Sequence, residues 1–340
     1  MLVKKMPILQ WFPDIETVKN LSFSEDFQGN FRPVFYDIET TGLSRNSTFC
    51  YLIGAVAFEN GKWQMYQWFA QREQDEPLLL KDFARFLSSS TITIQYNGKQ
   101  FDQPYLEARY HIHKLSSPFE GKPYFDLYQV LKPLKSLLKL PSMKQPALEE
   151  FLSLPVRTYM DGHDCIRLFR NYLKSQNPEA AEILMGHNQE DLQGLGQILS
   201  MTSYLNITEG KYEPESASFD GEHLLITVRL FETLPVPFSN GTTDFYIKGE
   251  EELLYLIIKT KNGKTKQYYP NYKDYHYIPS EDTAMPKTLS ACLDKSLRKA
   301  ARPETCYTWF DCSGTFLTNK KQQLSCLLYA SDAADDLLAV

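Results

Sequence analysis

The stretch Pro33-Val34-Phe35-Tyr36-Asp37-Ile38-Glu39-Thr40-Thr41-Gly42 decides how the chain is read. Its apolar and aromatic residues, from Val34 to Ile38, read as a buried strand, and Thr40-Thr41-Gly42 ends that strand in a tight turn. Residues two apart on a strand point to one face, so Asp37 and Glu39 project together from its end. Two adjacent carboxylates repel and raise each other's pKa unless a cation lies between them. A divalent, oxygen-seeking ion such as Mg²⁺ or Mn²⁺ resolves that conflict. A solvated acidic turn has the same three letters, so the pair takes its meaning from what surrounds it.

Downstream, Cys50 to Phe58 is apolar and β-branched, and Glu59-Asn60-Gly61 is a hairpin signal leading into residues 62–69. Pro77 opens a helix to about Leu87, with Leu79, Leu80, Phe83 and Leu87 on one face. A fourth strand follows at residues 91–96, and a helix begins near Phe101-Asp102. Further helices are expected at 126–139, 147–152, 162–174 and 178–201. Upstream, residues 1–30 read as an arm with little periodicity. Residues 206–220 are polar, contain Gly210 and Pro214, and read as a linker. Residues 221–330 read as a smaller β-rich domain, with hairpin signals at Asn240-Gly241 and Asn262-Gly263 and a closing helix over 287–301. Residues 331–340 form an Ala/Asp-rich tail to which no role is assigned.

Two more motifs carry acids. Tyr96-Asn97-Gly98-Lys99-Gln100-Phe101-Asp102 takes a strand through a turn into a helix, with Asp102 at its start. Asp102 is either a site carboxylate or an N-cap. His187-Asn188-Gln189-Glu190-Asp191 lies on the last long helix, where His187 and Asp191, four apart, share a face. Asp126 is a fifth acid in a fitting context and equally a helix N-cap.

In their order and types these motifs resemble the DEDD exonuclease superfamily, whose fingerprint is Asp-x-Glu, a central Asp and a final Asp preceded by Tyr or His. The run from Phe35 to Leu43, Tyr124-Phe125-Asp126-Leu127, the run from Leu131 to Lys135, Asp161-Gly162 and the His187–Asp191 motif together resemble the YprB-type branch. The likeness covers about residues 31–200 and extends loosely through 268–275 and 279–282. It implies a ribonuclease H-like α/β fold, with a mixed five-stranded sheet flanked by helices over residues 31–205. It also implies a metal-dependent 3′→5′ exonuclease acting on single-stranded 3′ ends of DNA or RNA through two divalent ions, Mg²⁺ or Mn²⁺. Asp37 would bridge the ions, Glu39 and Asp191 would complete the first, Asp102 would hold the second, and His187 would act on the attacking water. One departure stands out: three residues separate His187 from Asp191, the spacing of the tyrosine-containing members. The alternative is a catalytically silent nucleic-acid-binding or scaffold protein on the same fold.

For nucleic acid the expected contacts are the turn Thr40, Thr41 and Gly42, together with Asn97, Lys99, Lys132 and Lys135; the lysines are equally ordinary surface residues. Lysines 259, 261, 264, 266 and 273 interleave with five tyrosines (268, 269, 272, 275 and 277), as a single-strand surface would. A Lys-rich exposed edge over half-buried tyrosines is the competing reading. The formal net charge of −6 gives no global attraction to polyanions, although a carboxylate site itself biases the total toward acid. The six cysteines form no CxxC pair, and Gln10, Pro13 and Asp14 interrupt the N-terminal apolar stretch too early for a signal peptide. A cytoplasmic protein with no membrane partner is expected.

Overall fold

The computed structural model describes residues 1–22, 31–159 and 162–316; the 331–340 tail and Asp161 lie outside them. Two compact units result, Met1–Lys211 with Phe231–Pro237, and Tyr212–Leu230 with the described residues from Phe238 onward.

In the first unit the strands are β1 (Leu2–Pro7), β2 (Pro33–Thr40), β3 (Cys50–Glu59), β4 (Lys62–Phe69), β5 (Ile92–Gln95) and β6 (Tyr124–Asp126). They form one mixed sheet in the order β1-β4-β3-β2-β5-β6. β2 pairs antiparallel with β3 and parallel with β5, which pairs parallel with β6. The β3–β4 hairpin turns on Asn60 and Gly61, at φ 50° and 77°, the positive values that a two-residue turn requires. The expected α/β fold is present, with six strands rather than five. The extra strand comes from the arm: Leu2-Val3-Lys4-Lys5-Met6-Pro7 lacks alternation yet pairs in register along the β4 edge.

Helices α1 (Ile15–Ser22), α2 (Glu76–Leu87), α3 (Asp102–Ile112), α4 (Leu127–Leu131), α5 (Leu134–Leu137), α6 (Gln145–Phe151), α7 (Gly162–Ser175), α8 (Pro178–Ile198) and α9 (Leu205–Glu209) complete the unit. The core lies between the sheet and α2, α3, α7 and α8, where Tyr36, Tyr51, Phe69, Phe83, Tyr105 and Phe169 are among the buried side chains. Leu79, Leu80, Phe83 and Leu87 of α2 are all buried, as their spacing implied. The helix expected over 126–139 is instead two short ones, because Pro133 cannot continue the first. Among the described residues no helix is long and apolar enough to cross a membrane.

The second unit is β-rich: β7 (Tyr212–Phe219), β8 (His223–Leu230), β9 (Phe238–Gly241), β10 (Phe245–Glu250), β11 (Leu253–Tyr268), β12 (Tyr275–Ile278), β13 (Thr283–Pro286), β14 (Lys299–Ala300) and β15 (Tyr307–Phe316). One sheet runs β7-β8-β11-β10-β9 with β15 also on β11, and a small one runs β13-β12-β14. Three sequence expectations are corrected here. The stretch 206–220 is mostly α9 and β7, an exposed polar strand whose composition imitates a linker. Asn262-Gly263 is no hairpin but a bulge within β11, with Gly263 at φ 105°. The helix expected over 287–301 is one turn, Lys287–Ser290, a 3₁₀ turn at Lys295–Leu297, and then β14.

Candidate active site

Asp37 and Glu39 leave β2 on one face, and opposite Asp37 on β3 stands Gly54. A Cβ at Gly54 would lie 2.0 Å from Asn188 Oδ1 and 2.6 Å from Leu192 Cδ1, so glycine is what lets α8 rest on the sheet here. That contact delivers the site. Asn188 Nδ2 donates to Asp37 Oδ2 at 2.8 Å, and Asn188 Oδ1 accepts from Gln67 Nε2 at 3.0 Å. From the same helix, His187 Nε2 lies 3.3 Å from Glu39 Oε1 and 3.2 Å from Asp191 Oδ2. Ligand atoms of Glu39, His187 and Asp191 all fall within 4.8 Å of one another.

Asp102 reaches the same strand from the other side. The β2–β5 ladder ends at Phe35 and Ile94, and beyond it the Asp102 carboxylate takes the Ile38 backbone N–H and its own. Phe101 stands at the N-cap of α3 without a side-chain capping bond, so Asp102 is not the cap. Asp126 is one. Its carboxylate accepts from Tyr128 N at 3.1 Å, and also from Asn97 N at 2.8 Å and Lys99 N at 3.1 Å. It thereby braces the turn that leads to Asp102, with Asn97 at φ 58°.

Electrostatics ties the four acids together. Burial pushes the Asp37 carboxyl well above the usual range; repulsion from Asp191, Asp102 and Glu39 adds to this, and the Asn188 amide opposes it. Glu39 is raised likewise by burial and by Asp191 and Asp102, against the Tyr51 hydroxyl and Arg157. Burial pushes Asp102 up to about 7 despite its two backbone hydrogen bonds. Asp191 is raised by burial and held back by Arg157 and His187. Four carboxylates, Glu39 and Asp102 buried and Asp37 and Asp191 partly so, each resisting ionisation, fit divalent cations by charge and by donor type.

Sequence reasoning missed the residues that hold these groups. Arg157, on the loop after α6, grips Glu149 through Nε and Nη2, both at 2.7 Å, and contacts Asp191 Oδ1 through Nη1. Gln145 Nε2 donates to the Asp191 carbonyl at 2.7 Å and to Glu149 Oε1 at 3.0 Å. The loop itself is fastened by Glu190, which accepts from Thr158 N at 2.7 Å, Thr158 Oγ1 at 2.6 Å and Tyr159 N at 3.2 Å. An i, i+4 pair of Gln145 and Glu149 facing a later acid was the available signal. Nothing local marked Arg157.

The expected nucleic-acid contacts fare unevenly. Thr40 and Thr41 are buried, with Thr40 Oγ1 donating to Gly42 O at 2.9 Å and Thr41 Oγ1 accepting from Phe49 N at 3.1 Å. Their hydroxyls shape the turn. Lys99 Nζ sits 4.3 Å from the Tyr124 ring centroid. Lys132 and Lys135 are exposed, on either side of Pro133. In the β-rich unit Tyr269 and Tyr275 stack at 5.1 Å over Ala284, Ala301 and Cys306. Lys266 covers Tyr307 at 3.9 Å. These tyrosines are half-buried against each other, as the competing reading holds.

The family model described as the RNase_H superfamily matches residues 34–202. No curated protein matches the chain. Among solved structures, the family B DNA polymerase of the hyperthermophilic archaeon Pyrobaculum calidifontis is similar at 14% identity and TM-score 0.42, over 66% of this chain and 35% of that one. This chain thus spans about a third of the polymerase. The zinc-ion-bound complex of E. coli ExoI with ssDNA is similar at 12% identity and TM-score 0.34, over 90% of this chain and 72% of that one. The family match and the observed strand order agree that residues 34–202 form a domain of ribonuclease H-like fold.

Proposed function

We propose that the protein is a metal-dependent nuclease, a 3′→5′ exonuclease of the DEDD type, hydrolysing phosphodiester bonds of single-stranded DNA or RNA. The observation that carries this reading is geometric: Asp37 and Glu39 of β2 meet Asn188, His187 and Asp191 of α8, while Asp102 at the start of α3 is bonded to the Ile38 N–H of the same strand. Within the domain of residues 31–205, Asp37 would be shared between two divalent ions, with Glu39 and Asp191 on one and Asp102 on the other. Such ions supply a more acidic attacking water and charge stabilisation for the leaving 3′ oxygen.

The chain's own residues do the rest. Asn188 and the Ile38 N–H fix the rotamers of Asp37 and Asp102, and Arg157 fixes that of Asp191. Burial of Glu39 and Asp102, and partial burial of Asp37 and Asp191, weakens the screening of their charges by bulk water. Lys99, whose backbone N–H bonds Asp126, would offer a cation to a phosphate of the strand.

The test is release of p-nitrophenolate from thymidine 5′-monophosphate p-nitrophenyl ester by the full chain with Mn²⁺ or Mg²⁺. Metal-dependent turnover that is lost in Asp37→Ala supports the reading. Metal binding without turnover on this ester or on nucleic acid would favour the silent scaffold.

A further inference from the structure

His187 has the tyrosine spacing yet carries a nitrogen donor, and the structure shows where that donor points. Its ring is buried, and Nε2 is wedged between Glu39 Oε1 at 3.3 Å and Asp191 Oδ2 at 3.2 Å. Among the described residues no hydrogen-bond partner meets the buried Nδ1, and Nε2 is the ring nitrogen that faces charged groups. A residue acting on a free water would present a nitrogen to open space. This one presents it to two carboxylates.

Those separations have a chemical meaning. Ligands about 2.1 Å from a shared ion stand about 3.0 Å apart across an octahedral edge and about 3.4 Å apart across a tetrahedral one. The two His187 separations, 3.2 Å and 3.3 Å, fall between those values. The two carboxylates stand within 4.8 Å of each other and are turned from behind: Arg157 takes Asp191 Oδ1, leaving Oδ2 turned to His187. Tyr51 does the same for Glu39, donating to Oε2 at 3.5 Å while Oε1 faces the ring. Each carboxylate thus has one oxygen engaged by the protein and one offered to a common point.

We infer that His187 is itself a metal ligand, completing with Glu39 and Asp191 a one-nitrogen, two-carboxylate site that takes a transition ion such as Mn²⁺ in preference to Mg²⁺. The inference rests on the reading that these carboxylates hold metal, and it replaces a water-activating role for His187 with a coordinating one. The physical ground for the preference is donor softness: imidazole suits first-row transition ions, whereas Mg²⁺ is best served by oxygen alone. The tyrosine that this spacing otherwise carries has no such donor, so the substitution changes which ion the site selects.

The experiment is pulsed electron paramagnetic resonance on the full chain loaded with Mn²⁺, alongside Mn²⁺ and Mg²⁺ affinities of the wild type, His187→Gln and His187→Tyr. The expected result is a nitrogen hyperfine coupling of directly bound imidazole in the wild type that is absent from both variants. Mn²⁺ affinity should fall about 10- to 100-fold in the variants, taking the loss from disturbing metal-site partners as the scale, with Mg²⁺ affinity nearly unchanged. Circular dichroism identifies a variant that fails to fold, and the wild-type spectrum stands without either variant. Bound Mn²⁺ with no nitrogen coupling would overturn the inference and assign the ring to orienting the two carboxylates. Because that result leaves metal binding and turnover intact, it is distinguishable from failure of the nuclease reading, in which no Mn²⁺ binds or none supports hydrolysis.

Discussion

Replacing Asn188 with alanine tests whether the protein itself tunes Asp37. In the wild type the Asn188 amide donates to Asp37 Oδ2 at 2.8 Å, and it lowers the Asp37 pKa against burial and three neighbouring acids. A hydrogen bond to a charged group contributes about 1.5–3 kcal/mol. Removing it should therefore raise the pH midpoint of metal binding by about 1–2 units, at 1.36 kcal/mol per unit. Below the midpoint the variant should bind Mn²⁺ about 10- to 100-fold more weakly, and the gap should close as the pH rises and Asp37 ionises regardless. Mn²⁺ titrations followed by electron paramagnetic resonance from pH 5.5 to 9 read both features. Superimposed pH profiles would show that Asn188 does not tune Asp37. A loss of the same size at every pH would show the same, because it would assign Asn188 to packing rather than to the charge on Asp37.

Other perturbations follow from the same geometry. Because the folded-state pKa values of Asp37, Glu39, Asp102 and Asp191 lie above their unfolded values, their contribution to stability is fully present below about pH 4 and is lost as pH rises, for Asp102 through about 7. The metal-free protein should therefore melt progressively lower across that window, and the gain in Tm on adding Mn²⁺ should be small at pH 5 and large at pH 8; a metal-free Tm flat or rising with pH would contradict this. Gly54→Ala places a methyl 2.0 Å from Asn188 Oδ1 and should cost about 1–3 kcal/mol of overpacking while moving α8 off the sheet. Calorimetric titration should show Mn²⁺ affinity at least about tenfold weaker, the lower end of what loss of a metal-site partner costs, and wild-type affinity would argue against this contact as the site's spacer. Away from the metal, Glu76 accepts from Cys50 N at 2.8 Å, Arg109 Nε at 2.8 Å and Nη2 at 2.5 Å, and contacts His113 Nε2 at 2.7 Å. Glu76→Gln strands a buried guanidinium and should lower stability by about 3–5 kcal/mol in urea unfolding, with a loss under about 1 kcal/mol speaking against the network.

What the sequence disclosed depends on how local each signal is. Asp37 and Glu39 were legible because strand periodicity alone puts them on one face, and Asp102 because it follows a strand-to-turn break. His187 and Asp191 were legible as an i, i+4 pair. Asn188 lies in the same motif, but its role is set by Gly54 and Gln67 on strands more than a hundred residues away in sequence, a contact no window contains. Arg157 sits on a loop whose course is fixed by Glu190 of a later helix, so its meeting with Asp191 is purely tertiary. β1 and β7 escaped for a different reason: both are edge strands, largely exposed, and an edge strand need not alternate. Pro133 was visible in the sequence, and the expected helix over 126–139 disregarded it.

The measurement that bears most directly on the central claim is digestion of a 5′-labelled single-stranded DNA, and of the same sequence as RNA, by the full chain with Mn²⁺ or Mg²⁺. The expected result is a ladder that shortens from the 3′ end, requires the metal, releases nucleoside 5′-monophosphates and vanishes in Asp37→Ala. Intact label on both strands, with a folded protein that has bound its metal, would contradict that claim.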